Sequence, residues 1–339
     1  MLYVCKECGQ TSPKKMGKCF RCGKWDAFVL ENNDLKTKKV INTNKTLTKI
    51  SHTNAEKVKE FTTNINEMDR VLGRGMVGGS TILIGGEPGI GKSTLSLQIA
   101  GNFNHSKVLY IAGEESPSQI KARADRIGIE SDNLYLYNGN DVASIKTQID
   151  EVEPGLVIID SIHTIESTDT DSSPGSISQL RNCSQFLSEL AKAKNFILIL
   201  VAHITKEGVI AGPKTLEHLV DTVLYFEQVD TNDLRILRTT KNRFGTTNEI
   251  GIFEMTEKGL VASEDPTRVF LSSRNTTNPG SAITTSFEGS RPILVEIQSL
   301  VSNPLQSFGK RYSSGIENNK CSLMAVSYTH LTLPTICSV

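Results

Sequence analysis

Short apolar runs, each stopping at a polar or small residue, mark the middle of this chain. Ser80–Gly85, Lys107–Gly113, Gly155–Asp160 and Asn195–Ala202 are rich in Ile, Leu and Val and show no polar alternation. A strand covered on both faces reads this way, so the runs predict an α/β core with a mostly parallel central sheet. Ser93–Ala100 sets Leu95, Leu97 and Ile99 among good helix formers and predicts a helix just after the first run. Upstream, Thr62–Gly75 predicts a short helix that ends in a glycine turn. Thr222–Phe226 and Leu234–Thr239 add two more strands. Two stretches break the pattern. Residues 31–60 are rich in Asn, Thr and Lys and read as a linker, after which a core begins near Phe61. Asp169–Gln179 is rich in Asp, Ser, Pro and Gly, and is either a solvated connector or a loop facing a ligand.

The join between the first run and its helix carries the strongest chemistry. Gly86-Glu87-Pro88-Gly89-Ile90-Gly91-Lys92-Ser93 is a complete G-x-x-x-x-G-K-[ST] loop, with Thr94 next. The glycines let backbone N–H groups turn inward around a polyphosphate. Lys92 can reach the β/γ-phosphates and Ser93 can hold Mg²⁺. Strand, glycine-rich turn and helix place a helix N-terminus on the phosphates, which argues against a chance glycine turn and predicts a polyphosphate ligand. The run Gly155–Asp160 ends in a carboxylate, the form of a Mg²⁺ partner at the carboxyl edge of a parallel sheet; Ser161 could share the metal's water shell. Glu114 and Glu115 follow the run Lys107–Gly113. Glu114 is the first candidate to polarise an attacking water and Glu115 the second, while an acidic pair answering a helix dipole is the simpler reading. His203 closes the run Asn195–Ala202, where a polar side chain can sense the γ-phosphate or merely satisfy a hydrogen bond.

Composition narrows the class. With 339 residues, 38% hydrophobic and 22% charged, the chain has room for two or three ordinary globular domains. No stretch approaches the ~18 apolar residues of a membrane span, and the start shows no basic-then-apolar signal, so the expectation is a cytoplasmic protein without membrane contact. The net charge is zero but unevenly spread: residues 1–60 hold 13 Lys/Arg against 6 Asp/Glu, an asymmetry that permits a nucleic-acid contact. Cys5-x-x-Cys8 and Cys19-x-x-Cys22, followed by Gly9 and Gly23, have the spacing of a zinc ribbon: two knuckles bringing four thiolates to one Zn²⁺. A closed four-cysteine site leaves no open position for chemistry, so its role is structural or recognitional. Cys183, Cys321 and Cys337 have no partner spacing.

Taken together, the cysteine ribbon, the phosphate loop, Gly113-Glu-Glu-Ser116, Leu200-Val-Ala-His-Ile-Thr-Lys-Glu-Gly208 and Lys241-Asn-Arg-Phe-Gly245 closely resemble the bacterial RadA (Sms) family of RecA-like ATPases, from Met1 to about Leu323. The resemblance implies a DNA-dependent ATPase of homologous recombination and repair. It implies a homohexameric ring on single-stranded and branched DNA, helicase-like translocation, branch migration of recombination intermediates, and the recombinase RecA as a partner. Lys241 and Arg243 would act in trans on a neighbour's γ-phosphate, as arginine-finger-type groups do. The loop around Ser172–Ser176 would face the DNA channel.

The implied layout is a zinc ribbon at 1–30, a linker at 31–60, a RecA-like ATPase domain at 61–263 and the opening part of a Lon-protease-like α+β domain at 264–326. The last is carried by Pro266–Leu271, Gly280, Glu288–Val301 and Lys310–Gly315. Residues 327–339 fit nothing in the family and are expected to be a foreign tail on a shortened frame. Three other functions are weighed. A RecA-type strand-exchange or circadian-clock-type ATPase would lack the ribbon and the Lys-Asn-Arg-Phe-Gly segment. A Lon-like protease would need a Ser–Lys dyad beyond the end of this chain. A zinc-ribbon adaptor without catalysis would have no use for an intact Lys92, Ser93, Asp160 and Glu114.

Overall fold

A computed structural model describes residues 3–5, 11, 12, 14, 17–20, 22–25, 28–30, 59–73, 75–168, 172, 173, 175–203, 216–228, 234–247, 249–263, 280–301 and 312–330. Cys8, most of the expected linker, Pro266–Leu271 and residues 331–339 lie outside them.

The ribbon segment has three short strands, β1 (Tyr3–Cys5), β2 (Thr11–Ser12) and β3 (Phe28–Leu30), in the order β2-β1-β3 with antiparallel pairing. β4 (Glu60–Phe61) then pairs with β5 (Met76–Val77) around α1 (Asn66–Leu72). This is the expected short helix, and Gly73 ends it at φ 86°, a conformation that glycine adopts without steric cost. Alternation of strand and helix follows: β6 (Thr81–Gly86), α2 (Lys92–Asn102), β7 (Val108–Ala112), α3 (Pro117–Arg126), β8 (Leu134–Asn138), α4 (Val142–Val152), β9 (Leu156–Asp160), α5 (Ile177–Lys194) and β10 (Ile197–His203). β11 (Thr222–Gln228), β12 (Leu234–Asn242), β13 (Ile250–Thr256) and β14 (Gly259–Ala262) complete the sheet.

The nine strands run in the order β14-β13-β12-β11-β6-β10-β9-β7-β8. From β11 to β8 every neighbouring pair is parallel, and β12, β13 and β14 extend one end as an antiparallel meander. The mostly parallel α/β sheet is therefore as expected. Side chains alternate between two cores. Ile82, Ile84, Val108, Tyr110, Leu156, Ile158, Ile197 and Ile199 pack with α1, α2 and α3. Leu83, Leu109, Ile111, Val157, Ile159, Leu198 and Leu200 pack with α4 and α5. Burial on both faces explains why these strands read as unbroken apolar runs.

Two details differ from the sequence expectation. Asn195 is not the start of a strand; it caps α5 in the left-handed conformation at φ 59°, and β10 begins at Ile197. Edge strand β8, Leu-Tyr-Leu-Tyr-Asn, exposes Tyr135 and Leu136, so its pattern matches no buried run.

A second compact unit comprises residues 265–287 and 292–339. β15 (Ser281–Glu288) and β16 (Arg291–Gln298) pair in a two-stranded sheet, and α6 (Asn318–His330) continues through Ser327 without a break.

The second cysteine knuckle is formed. Gly23 N–H donates to the Cys19 carbonyl at 2.8 Å and Cys19 N–H to the Lys24 carbonyl at 2.8 Å, with Gly23 at φ 73°. Cys19 is buried, Cys22 is at the surface, and the backbone of Cys5 lies on β1. Such a turn suits tetrahedral thiolate ligation, and so small a module derives most of its folding energy from the metal. Metal analysis of protein purified without chelator should give one Zn²⁺ per chain. Stripping the zinc should collapse the ribbon while circular dichroism of the nine-stranded core persists; two disulfides and no metal would contradict this.

Candidate active site

All parallel strands point their carboxyl ends at one edge, and the polar residues that close the apolar runs converge there. Gly86 ends β6 beside His203 of β10 and Phe226 of β11. The loop then turns through Gly89 at φ 78° and Gly91 at φ 114°, and Gly91 caps α2. A side chain at Gly91 would be strained by that φ and would come within 2.6 Å of the Met255 terminal methyl. The Ile90 carbonyl is held from behind by the buried Arg235 Nε at 3.3 Å. Open N–H groups at the start of α2 face the loop, with Ser93 and Thr94 on its first turn.

Lys92 is buried, and its Nζ donates to the carbonyls of Gly86 and Glu87, both at 2.8 Å. Its Nζ also lies 3.2 Å from His203 Nδ1. Burial pushes the Lys92 ammonium down to about 8, against the opposing pull of Asp160 and Glu114. Below that pH it is the cation a polyphosphate needs.

Ser93, Tyr110, Ala112, Glu114, Glu115, Ile120 and Asp160 line one concavity beside the loop. Ser93 and Asp160, the two oxygen donors expected to hold Mg²⁺, both line it. Asp160 is fixed by a residue the sequence reading did not single out. The buried Tyr110 hydroxyl donates to Asp160 Oδ2 at 2.6 Å, and burial raises its pKa well above the usual range, so it remains a donor. Only its position on the neighbouring strand, two residues before Ala112, could have pointed to it.

The two glutamates separate. Glu115 Oε1 accepts from Arg123 NH2 at 2.6 Å, which makes it a partner of α3. Glu114 Oε1 accepts from the Ser161 hydroxyl and lies 3.3 Å from His203 Nε2. The Ser161 hydroxyl thus orients Glu114, and its oxygen keeps the acceptor capacity that sharing the metal's water shell would use. His203 bridges Lys92 and Glu114, and its backbone N–H donates to His163 Nε2 at 3.1 Å. His163 was also missed by the sequence reading; burial, first, then His203 lower its pKa and keep it a neutral acceptor.

Lys241 and Arg243 are not part of this cluster. Lys241 pairs in register with Val223 at the start of β11, whereas Gly86 pairs with Phe226 three residues on, about 10 Å along the strand. Lys241 Nζ donates to the carbonyls of Glu217 at 2.6 Å and Val220 at 2.8 Å. Arg243 NH1 pairs with the buried Asp221 at 3.1 Å, and Asp221 Oδ2 also accepts from Thr81 N–H at 3.1 Å. Asn242 ties the turn down: its Nδ2 donates to the Leu72 carbonyl at 3.0 Å and its Oδ1 accepts from Phe244 N–H at 3.0 Å. Both cations thus sit at the amino edge of the sheet, and the Arg243 side chain is about half exposed.

Among known proteins, a family model described as an AAA domain matches residues 47–209, and one described as a rubredoxin metal binding domain matches residues 3–29. The chain is 46% identical over 333 residues to the "DNA repair protein RadA" of Bacillus subtilis (strain 168). It is 47% identical over 328 residues to the protein of that name from Listeria monocytogenes and 46% over 330 residues to one from Streptococcus pyogenes. Each match covers 95% of this chain and 72% of the relative.

Two outcomes follow from the geometry. Because kcat/KM reports ionisations of the free enzyme, kcat/KM for ATP should fall as the pH rises through about 8, where Lys92 loses its charge. A profile flat from pH 7 to 9.5 would contradict the assignment. Tyr110→Phe should raise the Mg²⁺ concentration needed for half-maximal ATP turnover about tenfold, the usual scale for losing a partner of a metal ligand. Binding of a fluorescent ADP in EDTA should not change; equal losses with and without Mg²⁺ would mean that the hydroxyl does not serve Asp160.

Proposed function

Because the chain belongs to the RadA family, we propose that it is an ATP hydrolase that works on DNA in repair, with its site shared between neighbouring subunits. The supporting observation is the division of the candidate residues between the two edges of one sheet. Lys92, Ser93, Asp160, Glu114 and His203 gather at the carboxyl edge, while Lys241 and Arg243 lie at the amino edge.

At the carboxyl edge, residues 86–94 would wrap the phosphates and Lys92 would exchange its two carbonyl partners for phosphate oxygens. Ser93 and Asp160 would hold Mg²⁺, which would neutralise charge on the β- and γ-oxygens. Glu114, oriented by Ser161 and His203, would accept a hydrogen bond from the attacking water. As the water oxygen bonds to the γ-phosphorus, the bridging oxygen leaves with ADP and the proton passes toward Glu114. His203, touching both Lys92 and Glu114, is placed to register whether the γ-phosphate is present.

Arg243 cannot serve its own chain's phosphates from the amino edge. On a neighbour it would stabilise the charge of the transition state, with Lys241 beside it; burial and Arg243 already lower the Lys241 pKa. This suits a ring, a homohexamer by analogy with the family, in which each subunit completes the next. Single-stranded and branched DNA would then be the track, helicase-like translocation and branch migration the work, and RecA a partner, in the cytoplasm. Among the described residues no helix is long and apolar enough to cross a membrane.

The test is ATP turnover with and without single-stranded DNA. The wild-type chain should be stimulated. Lys92→Ala and Arg243→Ala should each lose turnover by about 10³-fold, the latter with little change in nucleotide affinity. Mixed in equal amounts, the two inactive variants should regain activity, because some interfaces then pair an intact loop with an intact arginine. Stimulation by DNA without any recovery on mixing would overturn the shared site. Absence of ATP turnover in the wild-type protein would overturn the function.

A further inference from the structure

The catalytic reading leaves the ribbon's aromatic side chains without a task. Trp25 is 74% exposed and Phe20 is 68% exposed, an unusual waste of apolar surface on so small a module. Neither is loosely placed. Phe20 sits inside the Cys19–Cys22 knuckle, whose backbone bonds fix the turn, and Trp25 forms a backbone bridge with Lys18 two residues beyond Gly23. Lys18 Nζ lies over the Trp25 ring, 5.4 Å from its centroid. Exposed Lys14 and Lys24 share the segment, and the described ribbon residues include no Asp or Glu. Across residues 1–30 there are six Lys/Arg against two Asp/Glu, so the module stays positive even when four thiolates and one Zn²⁺ contribute −2.

We propose that the exposed rings of Trp25 and Phe20 make the ribbon a stacking platform for single-stranded nucleic acid. The inference rests on the DNA reading above and adds a second contact, outside the ATPase core. Each nucleobase presents a flat face that an indole or phenyl ring can cover, and the neighbouring phosphates fall to the surrounding ammonium groups. A duplex offers no such face except at its ends, because its bases are already stacked. A protein partner fits less well, since lysine is depleted from protein–protein interfaces whereas here Lys18 lies over the Trp25 ring. The positive balance of the module complements a polyanion, and the combination of flat apolar surface with a cationic border is what a single strand requires.

Trp25 is the chain's one tryptophan, so its emission reports this surface directly. The zinc-loaded chain should be titrated with oligo(dT) at low salt without ATP, following tryptophan emission together with anisotropy of a labelled oligo(dT). Emission should be quenched to saturation in step with anisotropy, recover as salt is raised, and respond weakly to a blunt duplex of equal length. Trp25→Ala should bind the oligonucleotide about tenfold more weakly, with Phe20→Ala intermediate and Trp25→Phe close to wild type. One Zn²⁺ per chain in each variant would show that the ribbon is intact.

Oligo(dT) binding with unchanged emission and unaltered affinity in Trp25→Ala would overturn the platform while leaving the DNA-dependent ATPase standing. Emission that responds to protein concentration and not to oligo(dT) would overturn it in favour of contact with a second copy of the chain. No binding of any oligonucleotide and no DNA stimulation of ATP turnover would overturn both readings together.

Discussion

A strand buried on both faces can carry polar chemistry only at its ends. That constraint shapes this protein. β6, β7, β9 and β10 are covered by helices above and below, and burial leaves their interiors mostly to Ile, Leu and Val, with Tyr110 of β7 an exception whose hydroxyl reaches the strand-end Asp160. Parallel pairing then brings Gly86, Asp160 and His203 to the same edge, with Glu114 just past β7. No long-range design is needed to gather the site; the sheet's own direction does it, and α2 starts at the same edge, straight after the glycine loop.

Within that edge, the electrostatics are arranged for an occupant. Lys92 is a buried cation satisfied by two backbone carbonyls and supported by the charge of two nearby carboxylates. Desolvation weakens its hold on the proton and the carboxylates restore part of it. Asp160 and Glu114 are each held by a neutral hydroxyl, Tyr110 and Ser161. A neutral donor orients a carboxylate without cancelling its charge. Glu115, tied to Arg123, shows the alternative: its charge is answered within the fold.

The far edge obeys a different logic. The amino ends of parallel strands meet the antiparallel meander there, and β12 returns its polar end, Lys241 and Asn242, to that side. Asp221 fastens Arg243 to the root of β6 through the Thr81 amide, so the guanidinium is presented from the sheet itself and not from a free loop.

The sequence by itself determined the strands that are buried on both faces, the phosphate loop, the short helix before it and the ribbon spacing. Each is a local pattern: unbroken apolar runs, glycines at fixed offsets, paired cysteines. Tertiary structure alone decided the rest. β8 was illegible because an edge strand has one wet face, and Tyr135 and Leu136 obey neither the buried nor the alternating rule. Tyr110 looked like one more apolar strand residue; only pairing with β9 in the sheet puts its hydroxyl on Asp160. The division between Glu114 and Glu115, adjacent in sequence and chemically identical, required Arg123 on α3 and Ser161 after β9. The separation of Lys241 and Arg243 from the phosphate loop lies in strand direction and register, which set where a side chain goes and leave no trace in composition or spacing.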